Sequence, residues 1–202
     1  MFSDYINEKY LTKTKIRGLF SDFTKNKPFP HLILKDFFKE DFIRKVAKEL
    51  LKEDFSFKES DLFRFSQTKD LISSNNKIIA ECYNIINSQD FKDYLLGITG
   101  INSFEKIDCS GFIYGSGDHL LPHDDRLEKR KVAYVINLSE DFTKADGGSL
   151  EFFDNKNIVK SIVPSFNTFI IFQVIVNKTI HQVSEVLSDK KRLTIAGWFN
   201  DK

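Results

Sequence analysis

KVAYVINL at residues 131–138 and NTFIIFQV at residues 167–174 are strand-sized runs rich in Val, Ile and Phe, and the company they keep decides the fold. KIDCSGFIYG (106–115) precedes them, GGSLEFF (147–153) and IVKSIV (158–163) lie between, and IHQVSEV (180–186) and RLTIAGWF (192–199) follow. Turn-forming GSGD, KADGG, FDNKN, VPSFN and SDKK separate the runs. Short strands at near-regular spacing, with no crossover helix between them, predict an antiparallel sandwich or jelly roll rather than a parallel sheet.

Upstream of about Ile107 the period is helical. DFIRKVAKELL (41–51) places Phe42, Ile43, Val46, Ala47, Leu50 and Leu51 on one face, with Asp41 as the expected N-cap. NNKIIAECYNII (75–86) repeats the pattern with Ile78, Ile79, Cys82, Ile85 and Ile86. Ser88 is placed to cap a shorter helix through FKDYLLG, which Gly97 is expected to end. The expected fold class is therefore α+β, a double-stranded β-helix (jelly roll) core with N-terminal helices packed against it. Residues 1–27 read as a leader, and residues 28–202 as one domain, helical to about residue 105 and β after it.

The chain has 202 residues, with 30 Lys+Arg against 29 Asp+Glu, so its net charge of +1 makes no electrostatic case for nucleic acid or an anionic membrane. No apolar run approaches a membrane span, and MFSDYINEKYLTKTK lacks an apolar signal core, so a cytoplasmic address is expected. Two cysteines, Cys82 and Cys109, with no C-x-x-C, exclude a disulfide scaffold or a cysteine zinc site. The 21 Phe residues point to an aromatic core.

LLPHDDRLEKR (120–130) carries a histidine followed by two acids. In an extended stretch residues i and i+2 share a face, so His123 and Asp125 would aim at one point while Asp124 points away. An imidazole and a carboxylate are two of the three ligands in the 2-His-1-carboxylate set that holds Fe(II) with positions open. Alone the pair is a weak signal. His181, in a late strand, supplies a third ligand by position, although a lone His in a β core is more often a packing residue. Arg192 opens the next strand, with Thr194 on its face, and a buried guanidinium there would read the distal carboxylate of a 2-oxo acid. Its bland alternative is a surface arginine after the Lys-Lys turn.

LLPHDDRLEKRKVAYVINL, DGGSLEFFD, IVKSIVPSFNTFIIF and HQVSEVLSDKKRLTIAGWF resemble the Fe(II)- and 2-oxoglutarate-dependent prolyl hydroxylases. Within that family the chain is similar to the catalytic domain of the eukaryotic ribosomal-protein prolyl 3-hydroxylases, and PFPHLILKDFF and SDLFRFSQTKDL resemble the same branch. The likeness runs from about Pro28 to Phe199. It implies that His123, Asp125 and His181 are the iron ligands and that Arg192 binds 2-oxoglutarate. It adds Tyr114 as a cosubstrate contact, with a plain core tyrosine as the alternative. Asn137 stands where relatives often carry a tyrosine, so the cosubstrate side is expected to comprise Arg192, Tyr114, Asn137 and Thr194. Gly147 and Gly148 match a glycine pair that shapes a turn, and Trp198 is expected to pack behind the site as a core residue.

The resemblance implies a dioxygenase using Fe(II), 2-oxoglutarate and O2, with ascorbate as reductant, that hydroxylates a prolyl residue of a protein or peptide, a ribosomal protein among the candidates. The eukaryotic enzymes carry a second, non-catalytic β domain, and none lies before Lys202, so a different target is expected to be open to this chain. Two other readings stand beside this one: a related oxygenase acting on a small molecule or another side chain, and a non-catalytic jelly-roll binding module. A zinc site is disfavoured, because zinc would not need Arg192.

Overall fold

Eleven strands curl into one antiparallel sheet in the computed structural model, which describes residues 2–102, 104–127 and 129–201. They are β1 (His31–Lys35), β2 (Phe55–Ser60), β3 (Phe63–Thr68), β4 (Lys106–Tyr114), β5 (His119–His123), β6 (Arg130–Asn137), β7 (Leu150–Asp154), β8 (Asn157–Ile162), β9 (Thr168–Gln173), β10 (His181–Val183) and β11 (Arg192–Asn200). The order is β1-β9-β6-β11-β4-β3-β5-β10-β7-β8, with β2 paired to β3 alone. Short β3 bonds both β4 and β5, so it is the corner where a larger sheet, β1-β9-β6-β11-β4, folds over a smaller one, β5-β10-β7-β8. Phe152 and Leu150 of β7 and Ile162 of β8 meet Phe172 and Ile170 of β9 and Ala133 of β6 across the interior. The result is a jelly-roll half-barrel.

Four helices cover the outer face of the larger sheet: α1 (Lys13–Lys25), α2 (Glu40–Leu50), α3 (Lys77–Asn87) and α4 (Gln89–Thr99). Between helices and sheet lies the aromatic layer that the phenylalanine count foreshadowed. Phe37 stacks on Phe169 with centroids 4.7 Å apart, and Phe91 stacks on Phe199 at 6.2 Å. All four rings are fully buried, each contributing about 1.5–3 kcal/mol by area removed from water.

Several expectations need correction. Residues 1–27, read as a leader, contain α1, which is capped by Thr12 and buries Leu19 and Phe23. The first half is not only helical: β1 adds an edge to the larger sheet, and β2–β3 form a hairpin. Helix α2 begins a residue before Asp41, with Lys39 at the N-cap and no side-chain cap bond. Ser88 does cap α4 by accepting from the Phe91 N–H, but the helix runs through Gly97 and ends at Gly100, which adopts the left-handed conformation at φ 71°.

Candidate active site

Strand β10 lies between β5 and β7, and its register sets His181 opposite His123. The two imidazole centroids are 4.2 Å apart. Asp125 bridges them: Oδ1 is 3.3 Å from His123 Nε2 and Oδ2 is 3.4 Å from His181 Nε2. These three are the one group among the described residues whose donor atoms, all within 4.8 Å of one another, are arranged to hold a metal ion. Each ring donates Nδ1–H to a backbone carbonyl, His123 to Leu121 at 2.9 Å and His181 to Thr179 at 2.8 Å. That turns both Nε2 atoms inward, so that each neutral ring offers its Nε2 lone pair to a metal.

The route to this geometry differs from strand alternation. Strand β5 ends at His123, and Asp125 sits two residues further on with φ 56°, in the left-handed region that Asp tolerates better than most residues. A turn therefore carries the carboxylate back toward the rings. Asp124 does point away, and it is not idle. Its carboxylate is 3% exposed, accepts the Asn177 N–H at 2.9 Å and pairs with Arg126 Nε at 2.9 Å.

The electrostatics match the donor set. Burial works to raise the Asp125 carboxyl, but the hydrogen bond with His123 and the charges of His181 and His123 outweigh it and hold the pKa at about 2. Burial, then the neighbouring His123, pushes His181 down to about 4, so its imidazole is neutral at pH 7. For His123, burial works downward, but its hydrogen bond with Asp125 prevails and the pKa is raised.

A cavity of about 260 Å³ opens from this cluster into the half-barrel, lined by Tyr114, Arg192, Thr194, Val135, Phe172 and Trp198 among others. Arg192 is 2% exposed, and among the described residues its side chain has no hydrogen bond or ion pair, with Nε buried without an acceptor. Its guanidinium lies 5.0 Å from the ring centre of Tyr114, its register partner on β4. Burial lowers the Arg192 pKa, though a guanidinium stays charged, and burial raises the Tyr114 hydroxyl to about 12. An unpaired buried cation beside a neutral phenol is a receptor for a carboxylate. Thr194 faces the same space. Asn137, its partner on β6, is buried with its carbonyl oxygen unpartnered but does not line the cavity. Gly147 and Gly148 both have positive φ, 69° and 66°, as their turn role requires. A Cβ on Gly147 would overlap the Glu185 carbonyl.

Two cavity residues go beyond the sequence reading or escaped it. Trp198 is a wall of the pocket as well as packing against the core of Phe152 and Phe172. Arg130 stacks its guanidinium 3.3 Å from the centre of that ring and reaches within 3.6 Å of Asp125 Oδ1. Its only sequence signal was the cluster of basic residues 126–131, which also reads as a solvated loop.

A family model described as the 2OG-Fe(II) oxygenase superfamily matches residues 109–200, which contain every residue of the metal cluster and Arg192. The prolyl 3-hydroxylase OGFOD1 of Xenopus laevis is 39% identical over 181 residues, 86% of this chain and 35% of that protein. Residues 109–200 are a 2OG-Fe(II) oxygenase domain. Another relative of this oxygenase, the prolyl 3,4-dihydroxylase OGFOD1 of Ostreococcus tauri, is 36% identical over 87% of the chain and 38% of its own length. The chain spans about a third of the length of the curated relatives it matches. Among solved structures, a Pseudomonas putida prolyl-4-hydroxylase superposes with a TM-score of 0.75 over 93% of this chain and 99% of that one, at 18% identity. A Trichoplax adhaerens prolyl hydroxylase gives 0.76 over 93% and 91%, at 17% identity. The fold of the oxygenase is thus that of the prolyl hydroxylases. Its family takes Fe(II), with 2-oxoglutarate and O2 as cosubstrates, and the two imidazoles, one carboxylate and orphaned guanidinium fit that complement.

Proposed function

We propose that this chain is a 2-oxoglutarate-dependent dioxygenase that hydroxylates a prolyl residue in a polypeptide. The observation that carries the reading is the pairing of the His123–Asp125–His181 cluster with a buried, unpaired Arg192 in one cavity. His123, Asp125 and His181 would hold Fe(II) and leave positions open. Arg192, helped by the Tyr114 hydroxyl and Thr194, would hold the far carboxylate of 2-oxoglutarate, with Asn137 supporting that wall from β6. Bound there, the metal and keto acid would supply the oxidising power that puts one oxygen atom of O2 into a C–H bond, the other leaving in succinate as 2-oxoglutarate loses CO2.

The protein's share is placement and exclusion. Phe65, Phe112, Phe172 and Val135 make the cavity walls apolar, which keeps water from the reacting centre. Trp198 and Arg130, beside Asp125, form the wall against which a substrate side chain would rest. No acid or base from the chain is required for this reaction. Proline as target is supported by the relatives' names and by the prolyl hydroxylase fold. A ribosomal protein as partner follows from the likeness to the OGFOD1 branch, and ascorbate as reductant from the chemistry of the family. A cytoplasmic setting without direct nucleic-acid binding accords with the near-zero net charge, and no described helix is long and apolar enough to cross a membrane.

Aerobic incubation with Fe(II), 2-oxoglutarate and proline-containing peptides tests the proposal. Succinate should form, and mass spectrometry should find a peptide heavier by one oxygen, with fragmentation placing it on proline. Metal and 2-oxoglutarate binding with no succinate and no modified peptide or host protein would instead identify a binding module.

A further inference from the structure

The acid beside the metal cluster, Asp124, is buried as thoroughly as the cluster itself, yet it faces away from the cavity. Its Oδ2 accepts the Asn177 N–H at 2.9 Å. Asn177, at φ 61°, lies in the tight turn leading into β10. That turn closes on itself: the Ile175 carbonyl accepts the Lys178 N–H at 2.9 Å and the Thr179 N–H at 3.1 Å, and the Thr179 hydroxyl accepts the Ile175 N–H at 3.1 Å. The next link is the Thr179 carbonyl, which accepts Nδ1–H of His181 at 2.8 Å and so sets the ring's tautomer and tilt.

We propose, resting on the metal-site reading above, that Asp124 is a positioning residue that locks the two ligand-bearing segments of the metal site together. One end of the link is the backbone of the His123–Asp125 turn, where Asp125 holds a left-handed conformation. The other end is the turn that orients His181. Beyond the β5–β10 ladder, one carboxylate oxygen bonds the turn after His123 to the turn before His181, 53 residues apart in sequence. Arg126 pairs with the other oxygen, but its side chain is 65% exposed, so it contributes little to the lock. The work rests on an acceptor oxygen at this place, and an amide oxygen can serve.

Cobalt(II) titration, followed by visible absorption under anaerobic conditions, separates the possibilities. Asp124→Ala should weaken Co(II) binding by about tenfold or more, as loss of an outer-sphere support typically does. Asp124→Asn, which keeps an acceptor for the Asn177 N–H, should remain close to wild type, and so should Arg126→Ala. Asp124→Ala that melts earlier but binds Co(II) like wild type would reduce Asp124 to a stability residue and overturn the proposal. Asp124→Asn as weak as Asp124→Ala would overturn the acceptor role. Amide exchange at Asn177 gives a check needing no variant that must fold: Co(II) loading of the wild-type protein should slow it, and an unchanged rate would refute the link. Wild-type protein that binds no Co(II) would sink the metal-site reading itself, a distinct outcome.

Discussion

Replacing Arg192 by methionine removes a buried charge while keeping most of the volume at the start of β11. In the unliganded protein the guanidinium is 2% exposed, unpaired, and offset by the Tyr114 ring at 5.0 Å. That cation–π contact contributes about 1–2 kcal/mol, whereas keeping an ion out of water costs several kcal/mol even after relaxation. The metal-free variant should therefore be as stable as wild type or up to about 2 kcal/mol more stable, a rise of about 2–4 °C in Tm per kcal/mol for a chain of this size. Toward 2-oxoglutarate the sign reverses. Losing one partner of a desolvated charge pair costs about 2–5 kcal/mol, which is about 30-fold to several-thousand-fold in Kd. Calorimetric titration of 2-oxoglutarate into Mn(II)-loaded protein, beside thermal melts without ligands, measures both. Binding within about threefold of wild type, less than 1 kcal/mol, would remove Arg192 from the cosubstrate site. A Tm lowered by several degrees would refute the claim that its charge is a burden until a carboxylate arrives.

Further outcomes follow from the same geometry. His181→Ala should abolish Co(II) binding with the far-ultraviolet circular dichroism unchanged, and retained metal affinity would strike His181 from the ligand set. Tyr114→Phe should cost about 0.5–1.5 kcal/mol of 2-oxoglutarate binding, a two- to tenfold rise in Kd, if its hydroxyl shares the carboxylate. Phe169→Ala, beneath the helices, should lower unfolding free energy by about 3–5 kcal/mol in denaturant titration. Gly197→Ala should give insoluble or unfolded protein, because the added Cβ would overlap the Asp108 carbonyl on neighbouring β4.

The late strands were legible because each combines β-branched or aromatic residues with polar turn signals, and the structure places strands in all seven runs. Helices α3 and α4 announced themselves by period, and α4 also by its cap residue Ser88. The hairpin β2–β3 did not. FSFKES is nearly all exposed, and its extended form is enforced by pairing with β3, which in turn is held by β4 and β5. Helix α1 was obscured by Gly18 and by a narrow buried stripe of only Leu19 and Phe23. At the site, alternation selected Asp125 for a reason that does not operate there, since a turn at φ 56° brings the carboxylate back. Arg130, Trp198 and the Asp124–Asn177 bond depend on proximity between distant segments, which no local pattern encodes.

Strand β10 is three residues long, and its histidine is one jaw of the metal cluster. That strand is bonded on both edges, to β5 and β7, and an ion held by it together with the β5 turn would act as a rivet through the smaller sheet. A site filled at a hundred times its Kd adds about 2.7 kcal/mol to the folded state. Metal supply would then bear on how stable the folded protein is as well as on its turnover.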